Sequence, residues 1–167
     1  RKKEKNQTLE NESTQSILPY SQQRFRFQLL YGSQPAWMLK TSVDGVYYDE
    51  HKGKHSFGWM VSQSAGWKPS SLPFQSDFYI GYFHTDDYYS RISSYEKNIL
   101  YAFNMPSFYE RGIRLSFSFR WNILDKLSLS AKLGHTYYAD RNVIGTDQEE
   151  IEGHNKTDLY VLLRYKF

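Results

Sequence analysis

The chain has 167 residues and a formal net charge of +3, too small an excess to argue for nucleic acid by itself. It holds no cysteine, which excludes disulfide frameworks and thiolate metal sites. Its mean hydropathy is -0.71 and no run approaches the ~18 apolar residues of a membrane helix, yet 18% of its residues are aromatic, unlike a disordered chain.

Residues 1–16 show no periodicity and predict a solvated outer loop or tail. From there to the end the pattern is one of alternation, as in strands whose side chains point to opposite faces in turn. RFRFQLLY places Phe25, Phe27, Leu29 and Tyr31 on one face, with Arg24, Arg26 and Gln28 on the other. Turn chemistry at Gly32–Pro35 leads into a strand over 36–48, with Trp37, Leu39, Thr41, Val43 and Tyr47 outward and Lys40, Ser42 and Asp44 inward. A third strand, ending at Trp67, sets Phe57, Trp59, Val61 and Ala65 against serines and glycines. After the Pro69–Pro73 break, a fourth strand over 74–85 carries Phe78, Ile80 and Tyr82 against Asp77, Tyr79 and Gly81.

The stretch 89–96 alternates poorly and is expected as a weak fifth strand, with a sixth over 99–105 that Pro106 ends or bends. The alternation is cleanest over 113–122: Ile113, Leu115, Phe117, Phe119 and Trp121 against Arg114, Ser116, Ser118, Arg120 and Asn122. A short turn over 122–125 gives an eighth strand, 127–137, with Lys126 and Lys132 on its polar side. A long acidic loop, 139–155, precedes a closing strand, 156–167. There Leu159, Val161, Leu163, Tyr165 and Phe167 share one face, while Asp158, Arg164 and Lys166 share the other. A final Phe behind alternating apolar residues resembles the carboxy-terminal insertion signal of bacterial outer-membrane barrels.

Strands of ten or more residues exceed the soluble average of about 5–6. Tyr31, Trp37, Trp67 and Trp121 all fall beside short turns on the apolar face, where an interfacial aromatic girdle belongs. The fold expected is therefore all-β: an antiparallel up-and-down transmembrane β-barrel in the bacterial outer membrane, with a soluble sandwich or lipocalin-like barrel as the competitors. Nine strands are counted, or seven if the weak strand and its neighbour are dropped. Single-chain bacterial barrels have even numbers, and the charged opening has no leader pattern. The odd count, with an amino-terminus that it places outside, points to the carboxy-terminal part of a larger barrel, while the missing leader fits either a mature chain or a piece of something longer; the alternative is an eight- or ten-stranded barrel that recruits Ser16–Tyr20.

The runs FGWMVSQSAGWKP, GYFHTDDYYSRISSYE, MPSFYERGIRLSFSFRW and IGTDQEEIEGHNKTDLYVLLRYKF resemble the carboxy-terminal end of a Bacteroidota outer-membrane protein family. Its members often carry a helix-hairpin-helix domain ahead of the barrel. The resemblance covers about Pro19 to Phe167 and implies fold and location; the helix-hairpin-helix part is outside this sequence, so it implies nothing about DNA here.

The inward face is expected to carry Arg24, Arg26, Lys40, Arg114, Arg120, Lys126, Lys132, Arg164 and Lys166 against Asp44, Asp77 and Asp158. Such an excess biases an interior towards anions, unless the charges pair with a plug or with strands elsewhere. Asp140, Asp147, Glu149, Glu150, Glu152 and His154 could supply oxygen ligands to a hard cation, but no EF-hand spacing is present and an acidic loop is usually solvated. His84, Asp86 and Asp87 at a strand tip have the acid and base a surface hydrolase needs, or else simply shape the turn. No nucleophile elbow, phosphate loop or metalloprotease motif accompanies them. Arg24 and Arg26 interleave with Phe25 and Phe27, but alternation sends them to opposite faces, so no nucleic-acid stacking platform arises. The expected function is a non-enzymatic pore, transport or membrane-assembly component without metal or cofactor. The alternatives are a structural barrel that scaffolds proteins or lipoproteins, and a rim-active hydrolase. Expected partners are outer-membrane lipid and lipopolysaccharide, the barrel-assembly machinery and other outer-membrane proteins.

Overall fold

The computed structural model describes residues 2–8, 15–32, 36–50, 53–145 and 150–167, with side chains from residue 19 onward. The chain is all-β. Its strands are β1 (Lys2–Thr8), β2 (Gln15–Tyr31), β3 (Trp37–Glu50), β4 (Lys54–Trp67), β5 (Phe74–Thr85), β6 (Ile92–Ser93), β7 (Ser107–Phe108), β8 (Arg111–Leu124), β9 (Leu127–Tyr138), β10 (Val143–Ile144), β11 (Ile151–Glu152) and β12 (Asn155–Tyr165). One antiparallel sheet of seven long strands, with β1 added at its edge, has the order β1-β2-β3-β4-β5-β8-β9-β12. Among the described residues β12 pairs only with β9, and the sheet does not close on itself.

The alternating pattern sets the register. In β8 every second residue from Gly112 to Ser118 is buried and every second one from Arg111 to Phe117 is exposed. Side chains on the two faces differ in kind. Exposed positions include Phe27, Val43, Val61, Phe78, Ile80, Leu115, Phe117, Leu133, Leu159 and Val161. Buried positions include Ser42, Asp44, Ser56, Ser62, Arg114, Ser116, Ser118, Ser130, Lys132 and Thr136. The sheet thus inverts the usual rule, in which apolar surface is hidden and charge is solvated.

Three expectations change. The stretch expected as a solvated tail contributes β1, and 15–20 extend β2 to 17 residues rather than forming a strand of their own. The turn expected over 122–125 is displaced because β8 runs on to Leu124 through a bulge near Asn122, leaving Asp125 and Lys126 as the turn. The fifth and sixth strands are absent from the sheet, because β5 pairs directly with β8 from His84↔Arg111 to Phe74↔Trp121. Without β1 the sheet has the seven strands of the lower count, and β1 brings it to eight.

What replaces those two strands is one segment, 86–110, that turns back onto the polar face. Asp87 caps a 3-10 turn at Tyr88–Ser90, accepting from the amides of Tyr89 at 2.8 Å and Ser90 at 3.3 Å. β6 and β7 then pair with each other, so residues 95–105 form the tip of a small hairpin. Asn98 accepts from the amide of Ile99, and Tyr101 adopts a left-handed φ of 67°, which no strand can hold. A small apolar core fixes the base: Ile92 and Phe108 pack with Val46, Met60, Tyr79, Phe83 and Tyr138, and the Phe83 and Phe108 rings stack at 4.9 Å. Gly58 permits the approach, since a Cβ there would lie 2.3 Å from the Ser90 carbonyl oxygen.

Candidate functional site

The polar face and segment 86–110 together form the candidate site. Glu96, from the tip, is 1% exposed and sits at its centre. Its carboxylate accepts from Arg114 Nε at 2.7 Å and Arg114 Nη2 at 3.1 Å, a bidentate fork, and pairs with Lys132 Nζ at 3.0 Å. Arg114 reaches on to Asp158 of β12 at 2.9 Å and to the Thr136 hydroxyl at 2.9 Å. Two cations and two carboxylates from β8, β9, β12 and the segment thus close a compensated network. Gly134 leaves it room: a Cβ there would come within 2.3 Å of both Asp158 Oδ2 and Arg114 Nη2. A buried charge without partners is costly, so Glu96 can stay inside only while both cations are in place.

Further contacts hold the segment against other strands. Tyr79 of β5 hydrogen-bonds Ser94 at 2.7 Å, and Lys97 pairs with Asp77 at 2.7 Å. Arg26 of β2 pairs with Asp44 and donates to the Ser93 carbonyl at 3.1 Å. Lys40 of β3 lies 5.6 Å from the centre of the Tyr95 ring. The segment therefore touches strands from one side of the sheet to the other, and the sheet curls around it.

Of the charges expected inside, Arg26, Asp44, Asp77, Arg114, Lys132 and Asp158 lie on the polar face in ion pairs. Arg24 faces the same way but is exposed, beside a cavity of about 370 Å³ that Arg26, Asp44 and Met105 also line. Lys40, Arg120, Lys126, Arg164 and Lys166 gather towards the short-turn end, and among the described residues none has a carboxylate within ion-pair distance. Between that end and the segment lie adjoining cavities of about 220, 240 and 120 Å³, each lined by both Asp77 and Lys97. Glu96, Lys97 and Asn98 escape the sequence reading because Glu96 ends the expected strand 89–96 and Lys97 and Asn98 fall in the gap before 99–105. The signal that could have found them is the failure of alternation there, together with a carboxylate opposite an excess of inward cations.

Tyr31, Trp37, Trp67 and Trp121 are all exposed on the apolar face at the short-turn rim. Trp37 and Trp67 are register partners, and Phe74 is partnered with Trp121. Leu159, Val161, Leu163, Tyr165 and Phe167 share that face, and the last two rings meet edge-on at 5.4 Å.

The proposed rim acid and base are engaged elsewhere. Asp86 accepts from the amide of Phe57 at 2.8 Å, Asp87 caps the turn and pairs with Lys54 at 3.2 Å, and His84 lies against the Trp59 ring. Burial pushes the Asp87 carboxyl up, but the pairing with Lys54 and hydrogen bonds from the Tyr89 and Ser90 amides outweigh it and hold the group below its ordinary value. In the acidic loop, β10 pairs with β11, Asp140 pairs with Arg111 at 2.7 Å and His154 meets the Tyr138 carbonyl at 3.1 Å. Asp147 and Glu149 lie outside the described residues. Among the described residues no three His, Asp or Glu side chains converge as metal ligands. Searches against protein-family models, curated proteins and solved structures find no match.

Proposed function

We propose that this chain is the carboxy-terminal part of a bacterial outer-membrane β-barrel and acts as a non-enzymatic pore, transport or membrane-assembly component. The observation that carries the reading is the inversion of the sheet, with its charges buried and its apolar residues exposed. Burying one large apolar side chain fully is worth roughly 1.5–3 kcal/mol, so a face of this size left in water would forgo on the order of 10 kcal/mol. Lipid would cover it. Trp37 and Tyr47, both exposed, are ten residues apart on β3. That is about 33 Å along a strand and, at a tilt of about 40°, about 25 Å of height, the thickness of a barrel's apolar band. The longest connections, 86–110 and 139–154, leave from the rim opposite the Trp girdle, as outer loops do. Upstream strands between the free edges of β12 and β1 would complete the barrel. The resemblance to the Bacteroidota family points the same way.

In this reading segment 86–110 narrows the interior from the outer side, and the Glu96 network is its latch. The unpaired cations near the inner mouth favour anions only weakly, because Arg26, Arg114 and Lys132 are already neutralised. Reconstitution of the natural full-length protein in planar bilayers tests this: small conductance steps with a modest anion preference are expected, and cation preference would refute it. A second reading, a structural barrel that scaffolds partner proteins, draws support from the many strands the segment touches. Under that reading the bilayer stays silent, and it remains so when the tip is removed.

A further inference from the structure

Segment 86–110 covers the polar face of the sheet without filling the space beneath it. Two successive rows of side chains cross β3, β4, β5 and β8 there. Register partners Lys40, Ser64, Tyr79 and Ser116 make the first row, and Met38, Gly66, Asp77 and Ser118 make the second. Partners across a sheet share a face, and both rows line a cavity of about 220 Å³ that Tyr95 and Lys97 bound from the segment. The serines and the glycine leave the space, because none carries a side chain long enough to cross it. Among these polar walls Met38 is 41% exposed and Tyr95 is 59% exposed, so a solute can reach apolar surface on both. Asp77, the one carboxylate of the lining, is taken by Lys97 at 2.7 Å. Lys40 is left over: it is half-buried, and its ammonium lies 5.6 Å from the centre of the Tyr95 ring. A ring face is a weaker partner for a cation than a carboxylate is. The neighbouring cavity of about 240 Å³ shares Met38, Gly66, Asp77 and Lys97 and continues to Lys68 at the short-turn rim.

We propose that this cavity binds a small amphipathic monocarboxylate, its carboxylate on Lys40 and its apolar body against Met38 and Tyr95. The volume is below the roughly 300–1,000 Å³ of sites that take drug-sized ligands, so a solute of one ring and a short stem is the size it suits. A compact inorganic anion would leave the apolar walls wet, and a neutral solute would leave Lys40 unpaired. The inference rests on the pore reading for the ligand's route through the aqueous interior and names the solute class, but its test reads binding rather than conduction. Binding of 3-phenylpropionate to the full-length protein in nanodiscs of zwitterionic lipid is measured by calorimetry at constant ionic strength, with empty nanodiscs as the blank. Saturable binding is expected. Lys40→Met, which keeps the stem and removes the charge, should weaken it at least tenfold. Ser64→Leu, which fills the cavity from the row that holds Lys40, should abolish it. Arg164→Gln, at a cation that lines neither cavity, should leave it unchanged. Acetate and the neutral 3-phenylpropanol should each bind at least tenfold more weakly than the acid. Absence of binding would overturn the proposal, as would equal loss in Lys40→Met and Arg164→Gln, which would show general charge screening. Acetate or the alcohol binding as tightly as the acid would overturn it too. Binding by a protein that never conducts would sink the pore reading and leave the site standing; conduction without binding would do the reverse.

Discussion

Glu96 brings a negative charge to a position where its side chain has no contact with solvent, and two cations on neighbouring strands meet it there. Removing one member of such a network leaves the others buried and unpaired, at about 3–5 kcal/mol. Glu96→Gln should therefore lower the urea unfolding free energy by about 3 kcal/mol. Combining it with Lys132→Met should cost less than the sum of the two single changes, because the second removes a charge that the first has stranded. Additive losses would show that the two residues do not act as a pair. Asp87 works on a smaller scale: Asp87→Ala should cost about 1 kcal/mol, the usual worth of a cap. Its carboxyl is held below the ordinary value of 3.8. The contribution is thus present at neutral pH and is lost as pH falls through that lower folded value. Amide exchange at Tyr89 and Ser90 should accelerate in that acid range in the parent chain and show no such step in Asp87→Ala.

At the scale of elements, segment 86–110 is the feature that alternation could not reveal. β8 and the closing strand were legible because one side chain in two must face each medium, and a slip of one residue would reverse every position. Residues 89–105 obey a different constraint. They are held by side-chain contacts from distant strands, Tyr79 to Ser94 and Arg114 to Glu96, and such pairings leave no local period in the sequence. The same holds for the site: the inward cations could be read from their parity, whereas the carboxylate that neutralises two of them lies on a segment with no parity. Replacing 95–105 by a short Asn-Gly turn should leave the sheet's circular dichroism unchanged and widen the interior. Conductance should rise several-fold in the proposed pore; an unchanged conductance with an intact sheet would show that the segment is not the constriction.

At the scale of the whole molecule, the proposed barrel turns its exposed apolar face to lipid and its serines and charges inward. Phe167→Ala should reduce outer-membrane levels; normal levels in that variant would count against the carboxy-terminal strand as an insertion signal. These 167 residues hold no cysteine, so a single introduced thiol is the sole label site within them once any cysteine elsewhere in the full-length protein is replaced. Nitroxides placed one at a time from Ile113 to Trp121 in the full-length protein, reconstituted in bilayers, would report access to oxygen dissolved in lipid and to a water-soluble nickel chelate. A lipid-facing apolar side predicts a period of two, with Ile113, Leu115, Phe117 and Phe119 reached by oxygen and shielded from the chelate. Arg114, Ser116 and Ser118 should be shielded from oxygen. Chelate access at the phenylalanine positions, or no alternation at all, would contradict it.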